Sequence, residues 1–216
     1  MKNVPDVTFL SAGVAPDWET LEIAKGAQLP HWTAERAIYH VCFRLADSVS
    51  WAQRQKWLEE REALQKSLQA EDRQMTEAER LRLHNLFAGK IDRFLDQGEG
   101  ACVLRDPVCS SIVSDALKFF DGQRYDLHAW CVMPNQVHVV VEPKDGRKVG
   151  ETVHGWTSFT SNLINRHVCR SGTLWQHEPY DHIIRSAKEY VFQVLYVWEN
   201  PDKAGIKAAR WRKEWE

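Results

Sequence analysis

Gln136 and His138 lie two apart in the run Gln-Val-His-Val-Val-Val that follows Pro134-Asn135. Side chains alternate along an extended chain, so these two share one face while Val137, Val139 and Val141 share the other. A carboxamide and an imidazole therefore stand side by side on a strand otherwise suited to burial, and both can donate a lone pair to a cation. Tyr196 is the second candidate. Over residues 186–200 a helical repeat puts Val191, Val194, Leu195 and Trp198 on one apolar stripe, and Tyr196 falls off it with Glu189, Gln193 and Asn200. The phenol is expected to point away from the apolar seam, with Asn200 one turn further along. On periodicity alone a helical tyrosine is more often a half-buried packing residue with a wet hydroxyl than a nucleophile.

Four stretches together resemble one family. Tyr196-Val-Trp-Glu-Asn-Pro-Asp-Lys-Ala-Gly-Ile206 is similar to the Tyr-Ile-x-x-Asn-Pro-x-Lys-Ala-Gly-Leu signature of the REP-associated tyrosine transposases, relatives of the single-tyrosine HUH transposases. Tyr39-His-Val-Cys-Phe-Arg-Leu-Ala-Asp-Ser48 and Leu127-His-Ala-Trp-Cys-Val-Met-Pro-Asn135 match the same family. So do Leu174-Trp-Gln176 and Tyr180-Asp-His-Ile-Ile-Arg185, and all occur in the family's order.

The resemblance implies a metal-dependent single-strand DNA endonuclease and strand transferase. Its substrate would be an imperfect palindrome folded as a hairpin with a short single-stranded flank. Tyr196 would be the nucleophile, forming a 5′-phosphotyrosine and a free 3′-hydroxyl. Mg²⁺ or Mn²⁺ would be held by His138, by Asn200, and by Gln136 in place of the first HUH histidine. Lys203, Arg185 and Arg166 are expected near these elements and are candidates for phosphate contacts. An amide oxygen binds a hard cation without imidazole's basicity, so Gln136 leaves alternatives open. The site is a working one selective for Mg²⁺ or Mn²⁺, or the chain is a hairpin-binding protein without catalysis, or Gln136 is a turn-end residue and no ligand. Tyr180, His128 and His182 read as structural, and His177 with His182 lacks zinc-site spacing. Trp156 and Trp198 could stack on unpaired bases, although core packing is the commoner use.

Composition sets the outer limits. The chain has 216 residues, 44% hydrophobic, with ten tryptophans, so it can bury a sizeable core. Residues 144–213 carry 12 Lys/Arg against 7 Asp/Glu, and residues 1–143 carry 16 against 21. A basic half could meet a phosphate backbone while the acidic half faces away. Five scattered cysteines, never in a Cys-x-x-Cys pair, argue against disulfides and a thiolate zinc site. There is no membrane-spanning apolar run and no leader-like stretch in Met1–Asp6, and the scattered cysteines suit a reducing cytoplasm; the resemblance implies a bacterial, nucleoid-associated protein. The resemblance leaves monomer and homodimer open.

The elements that must position these residues follow from turn and cap signals. Residues 1–35 read as an irregular lead-in punctuated by Pro5, Pro16 and Pro30, and 37–45 as a first strand. A charged, helix-favouring insertion occupies about 51–98, with a capping box at Thr76-x-x-Glu79 and an inward stripe of Leu83, Phe87, Ile91 and Phe94. Asp106-Pro107 opens a helix that runs to Phe120. Strands follow at 125–133 and 137–142, then a helix at 148–168 with Val153, Trp156, Leu163 and Ile164 inward. A short strand at 180–185 precedes a helix that begins at the Ser186-x-x-Glu189 box and ends at Asn200, before Pro201. Without the insertion the order is β-α-β-β-α-β, the ferredoxin-like α+β pattern of an antiparallel sheet with helices on one face. That domain is expected to cover 36–206, and 207–216 to form a basic, tryptophan-containing tail.

Overall fold

A computed structural model describes residues 16–25, 30–69, 94, 98 and 100–214. The chain divides into two compact units, one made of residues up to Ala46 and from Val103 onward, the other of Asp47–Cys102.

The larger unit is built on a five-stranded antiparallel sheet. Its strands are β3 (Tyr39–Arg44), β4 (Tyr125–Val132), β5 (Gln136–Pro143), β6 (Tyr180–Ile183) and β7 (Ala209–Arg212), in the spatial order β6-β3-β5-β4-β7. The first four strands of that row have the ferredoxin-like arrangement, with β5 central and paired to β3 and β4. Val137, Val139 and Val141 join Tyr39, Val41 and Phe43 on one face. Against that face pack α2 (Pro107–Lys118) and α3 (Val149–His167), through Cys109, Val113, Leu117, Val153, Trp156 and Ile164. These are the two helices of the β-α-β-β-α-β unit, and they share one face as that pattern requires. The later helix α4 (Ala187–Lys203) covers the opposite face, where Tyr190, Val191, Val194 and Val197 meet Ile38, Ala129, Cys131, Met133 and Val140. The sheet is therefore buried on both sides.

Local signals account for the α2 boundary. The Asp106 carboxylate accepts the Val108 N–H at 2.8 Å, and Pro107 sits where its missing N–H costs nothing. The end of α4 departs from expectation, because the helix continues through Pro201 to Lys203. Pro201 removes one backbone donor, but the turn is closed beyond it: Ile206 N–H donates to the Pro201 carbonyl at 3.0 Å and Gly205 N–H to Asp202 at 3.1 Å. Gly205 adopts φ +67°, the left-handed cap this paired closure needs. Within the helix, Val197 and Tyr190 take the buried positions expected for Leu195 and Trp198, which are only half-buried.

Two terminal segments are more ordered than the sequence suggests. In the expected irregular lead-in, β1 (Asp17–Lys25) and β2 (Pro30–Glu35) form an antiparallel pair. A register shift between Asp17 and Glu22 breaks the two-residue alternation, which hides the strand from pattern reading. His31 ties this pair to β6 through Asp181 and through Glu178, the latter at 3.1 Å. In the expected C-terminal tail, β7 pairs with β4 and covers an edge that would otherwise expose backbone donors and acceptors.

In the smaller unit α1 (Trp51–Gln69) leads, and Val49, Trp57 and Phe94 cluster, with the Trp57 and Phe94 rings edge-on at 5.2 Å. Gly100 has φ +88°, and a Cβ there would lie 2.6 Å from the Asp47 carbonyl oxygen, so only glycine fits. The box at Thr76-x-x-Glu79 and the positions Leu83, Phe87 and Ile91 lie outside the described residues.

Beneath the valine face the Tyr125 hydroxyl donates to the Leu117 carbonyl at 2.7 Å and accepts the Trp156 indole N–H at 2.9 Å. Both rings are buried. Tyr125→Phe is expected to lower unfolding stability in urea by about 1–3 kcal/mol, because it strands a buried donor and acceptor. An unchanged midpoint would show that these groups find other partners.

Candidate active site

The register of β3 on β5 builds the site. Cys42 lies opposite His138, Arg44 opposite Gln136 and His40 opposite Val140. Residues paired across an antiparallel ladder point to the same face, so His40, Cys42, Gln136 and His138 all lie on the side covered by α4. On that helix Tyr196 is half-buried, and its ring meets two imidazoles edge-on, His138 at 5.7 Å and His40 at 5.7 Å between centroids. The two imidazoles stack on each other, with His40 Nε2 3.2 Å from His138 Nδ1. The structure thus brings Tyr196 and His138 together and adds His40, a residue the sequence reading passed over.

Burial shapes the chemistry of these groups. His40 is 7% exposed and His138 1%. Desolvation, reinforced by repulsion from the neighbouring His138 and His182, holds the His40 imidazole well below the usual histidine range. Near neutral pH His40 is therefore an uncharged ring with a lone pair to offer. Asn200, one turn beyond Tyr196, is 4% exposed, and its Oδ1 atom has no hydrogen-bond partner among the described residues. A buried amide oxygen left in this state carries a desolvation cost that a cation or donor would relieve. Gln136 is fully buried, and its Oε1 accepts the Cys42 thiol at 3.7 Å.

The remaining candidates separate by location. Lys203 Nζ lies 5.3 Å above the Tyr196 ring and 3.7 Å from Glu199. Arg185 is exposed at the end of β6, its guanidinium 5.3 Å from the Trp32 ring centre. Arg166 is on α3, which packs on the valine face and not on the tyrosine side. His182, beside His40 in the sheet, bonds Glu189 at 2.7 Å. Burial opposes ionisation of Glu189, but that bond and the Arg185 N–H at 2.7 Å outweigh it and lower its pKa. His128 bonds the Tyr190 hydroxyl at 2.8 Å. Both histidines have structural partners, as expected. Phe192 is 63% exposed and lies roughly parallel to Tyr196 at 6.4 Å. Elsewhere, Asp106, Cys109 and His167 bring ligand atoms within 4.8 Å of one another. There Asp106 caps α2 and bonds His167 at 2.8 Å, which ties α2 to the end of α3.

Sheet, helix and ring cluster define an α+β protein with a tyrosine and two histidines at one junction. Comparison with known proteins agrees with the family that the motifs resemble. Over 81 residues the chain is 27% identical to a REP-associated tyrosine transposase of Escherichia coli strain K12; the match covers 38% of this chain and 47% of that protein. The chain thus matches about half the length of this curated relative. A solved structure of a REP-associated tyrosine transposase bound to a REP hairpin aligns with a TM-score of 0.46 at 14% identity, over 83% of this chain and 75% of that one. No family model matches. No helix among the described residues is long and apolar enough to cross a membrane.

The depressed His40 pKa is directly measurable. In metal-free protein the His40 ring nitrogens should keep neutral-form ¹⁵N shifts at pH 6, where an ordinary histidine is mostly protonated. A midpoint at or above 6.5 would contradict the burial of this ring.

Proposed function

We propose that the chain is a DNA nicking-and-joining enzyme of the tyrosine transposase kind, acting on single-stranded DNA next to a hairpin. The observation that carries this reading is the contact of the Tyr196 phenol with the His138 and His40 rings on one face of the sheet. The Tyr196 oxygen attacks the scissile phosphorus; the bond to the 3′ oxygen breaks, leaving a 3′-hydroxyl and a 5′-phosphotyrosine. Because one phosphodiester replaces another, a 3′-hydroxyl from a second strand can reverse the step and rejoin DNA. Phe192, exposed beside the phenol, offers a face on which an unpaired base can stack.

A divalent cation, Mg²⁺ or Mn²⁺, suits the donor set: an imidazole at His138 and a buried amide oxygen at Asn200 with no hydrogen-bond partner among the described residues. When bound it supplies polarisation of the phosphate. His138 and Asn200 are the residues that would hold it, and the resemblance adds Gln136. Burial of Gln136 against Cys42 favours a second reading, a hairpin-binding protein that does not cut. The molecular location expected for either is the cytoplasm, with DNA as partner.

Incubation with a labelled hairpin bearing a single-stranded flank and Mn²⁺ should yield a denaturation-resistant protein–DNA adduct. Tyr196→Phe should abolish the adduct and leave hairpin binding within about threefold, since one phosphate-neutral hydroxyl contributes little to affinity. Tight binding without adduct under every divalent ion tried would favour the silent binder. The charges are expected to divide as well. Lys203→Ala should weaken binding to single-stranded DNA and reduce the slope of log K against log salt by about 0.7, the loss of one phosphate contact. Arg166→Ala should leave both unchanged in the same titration, and an equal loss there would place DNA on the valine-face helices too.

A further inference from the structure

We infer that the cation of this site is held by a histidine pair spanning two strands, His40 on β3 and His138 on β5, instead of a pair within one strand at 136 and 138. The inference rests on the metal-dependent reading above. Position 136 carries no imidazole, and its amide oxygen accepts the Cys42 thiol. His40 supplies the missing ring from the neighbouring strand, because the β3–β5 register sets it diagonally from His138 on the same face. The facing nitrogens, Nε2 of His40 and Nδ1 of His138, are 3.2 Å apart. These nitrogens share a hydrogen bond in the metal-free protein; two adjacent ligands of a six-coordinate cation with bonds of about 2.1 Å lie about 3 Å apart, so the separation suits one once the shared proton leaves and both rings turn their lone pairs to a common point.

Two further observations concern the tyrosine helix above the pair. Each imidazole centroid lies 5.7 Å from the centroid of the Tyr196 ring, so a cation held by the two rings would be near the phenol. Asn200, on the tyrosine's own helix and one turn beyond it, buries an Oδ1 atom with no hydrogen-bond partner among the described residues. Two imidazoles and one amide oxygen make a set better suited to Mn²⁺ than to Mg²⁺, which prefers oxygen and keeps its waters. The substitution of glutamine at 136 then costs the site no imidazole; it moves one ligand from β5 to β3.

The test is Mn²⁺ binding by the full chain without DNA, followed by electron paramagnetic resonance and calorimetry. The native protein should bind one Mn²⁺. His40→Ala and His138→Ala should each weaken it by tenfold or more, at least the loss of roughly 10–100-fold that follows removal of a ligand's supporting partner. Gln136→Ala should change Mn²⁺ affinity by less than about threefold, well below that range. Because His40 is buried and its variant could misfold, pulsed resonance on native protein with ¹⁵N-labelled histidine provides an independent count and should find two coordinated imidazoles. A single coordinated imidazole overturns the inference and leaves the metal-dependent reading standing, as does affinity that survives His40→Ala and is lost in Gln136→Ala. A native protein that binds no Mn²⁺ overturns both.

Discussion

The pairing of β3 with β5, and its register, is the constraint on which the site depends. Cys42 opposite His138 sets the parity of both strands, so that tyrosine and valine side chains enter one layer while histidines enter the other. Slipping β5 by one residue would drive His138 into the apolar layer and bring a valine beneath Tyr196, and slipping β3 would do the same to His40. That slip is resisted by burial more than by any single hydrogen bond. Val137, Val139 and Val141 are wholly buried, and each such side chain contributes about 1.5–3 kcal/mol, against about 1 kcal/mol for a typical hydrogen bond. The chemical face is held in place by the apolar face behind it.

The two faces of the sheet divide the work. Behind the valines, α2 and α3 form an apolar layer in which the Tyr125 hydroxyl is bonded to the Leu117 carbonyl. In front, α4 packs through Val191, Val194 and Val197 and leaves Tyr196 half-buried over the two imidazoles. Continuation of α4 through Pro201 matters here. It keeps Asn200 inside the helix, one turn from the phenol, and carries Lys203 to within 5.3 Å of the tyrosine ring. The left-handed Gly205 then ends the helix and lets the chain return as β7 along the edge of β4. One short segment of sequence therefore supplies an aromatic hydroxyl, a buried amide, a cation and the last strand of the sheet.

Much of this is legible in the sequence. The alternation around His138, the Asp106-Pro107 cap, the Ser186 box and the β-α-β-β-α-β order each follow from local rules, and each element is present within a few residues of its expected span. Helical phase places Tyr196 and Asn200 away from the apolar seam, and the structure instead packs Tyr196 against the Val191, Val194 and Val197 cluster and buries Asn200. What failed was local irregularity. The register shift in β1 erased its alternation, the closure at Gly205 overrode the stop expected at Pro201, and β7 had too short a pattern to distinguish it from a charged tail.

The chain's own order of residues determined which side chains each strand and helix would present, because periods of two and of about 3.6 are properties of the backbone. It determined that Gln136 and His138 share a face and that Tyr196 and Asn200 lie a turn apart. It did not determine that His40 would join them. That residue is nearly a hundred positions from His138 and belongs to a strand whose neighbour, register and facing are decided by burial across the whole sheet. Arg166 shows the converse, since it is a candidate phosphate contact by sequence and its helix packs on the opposite layer. Only tertiary structure decides such placements, because the free energy that selects them comes from surfaces that no single segment contains.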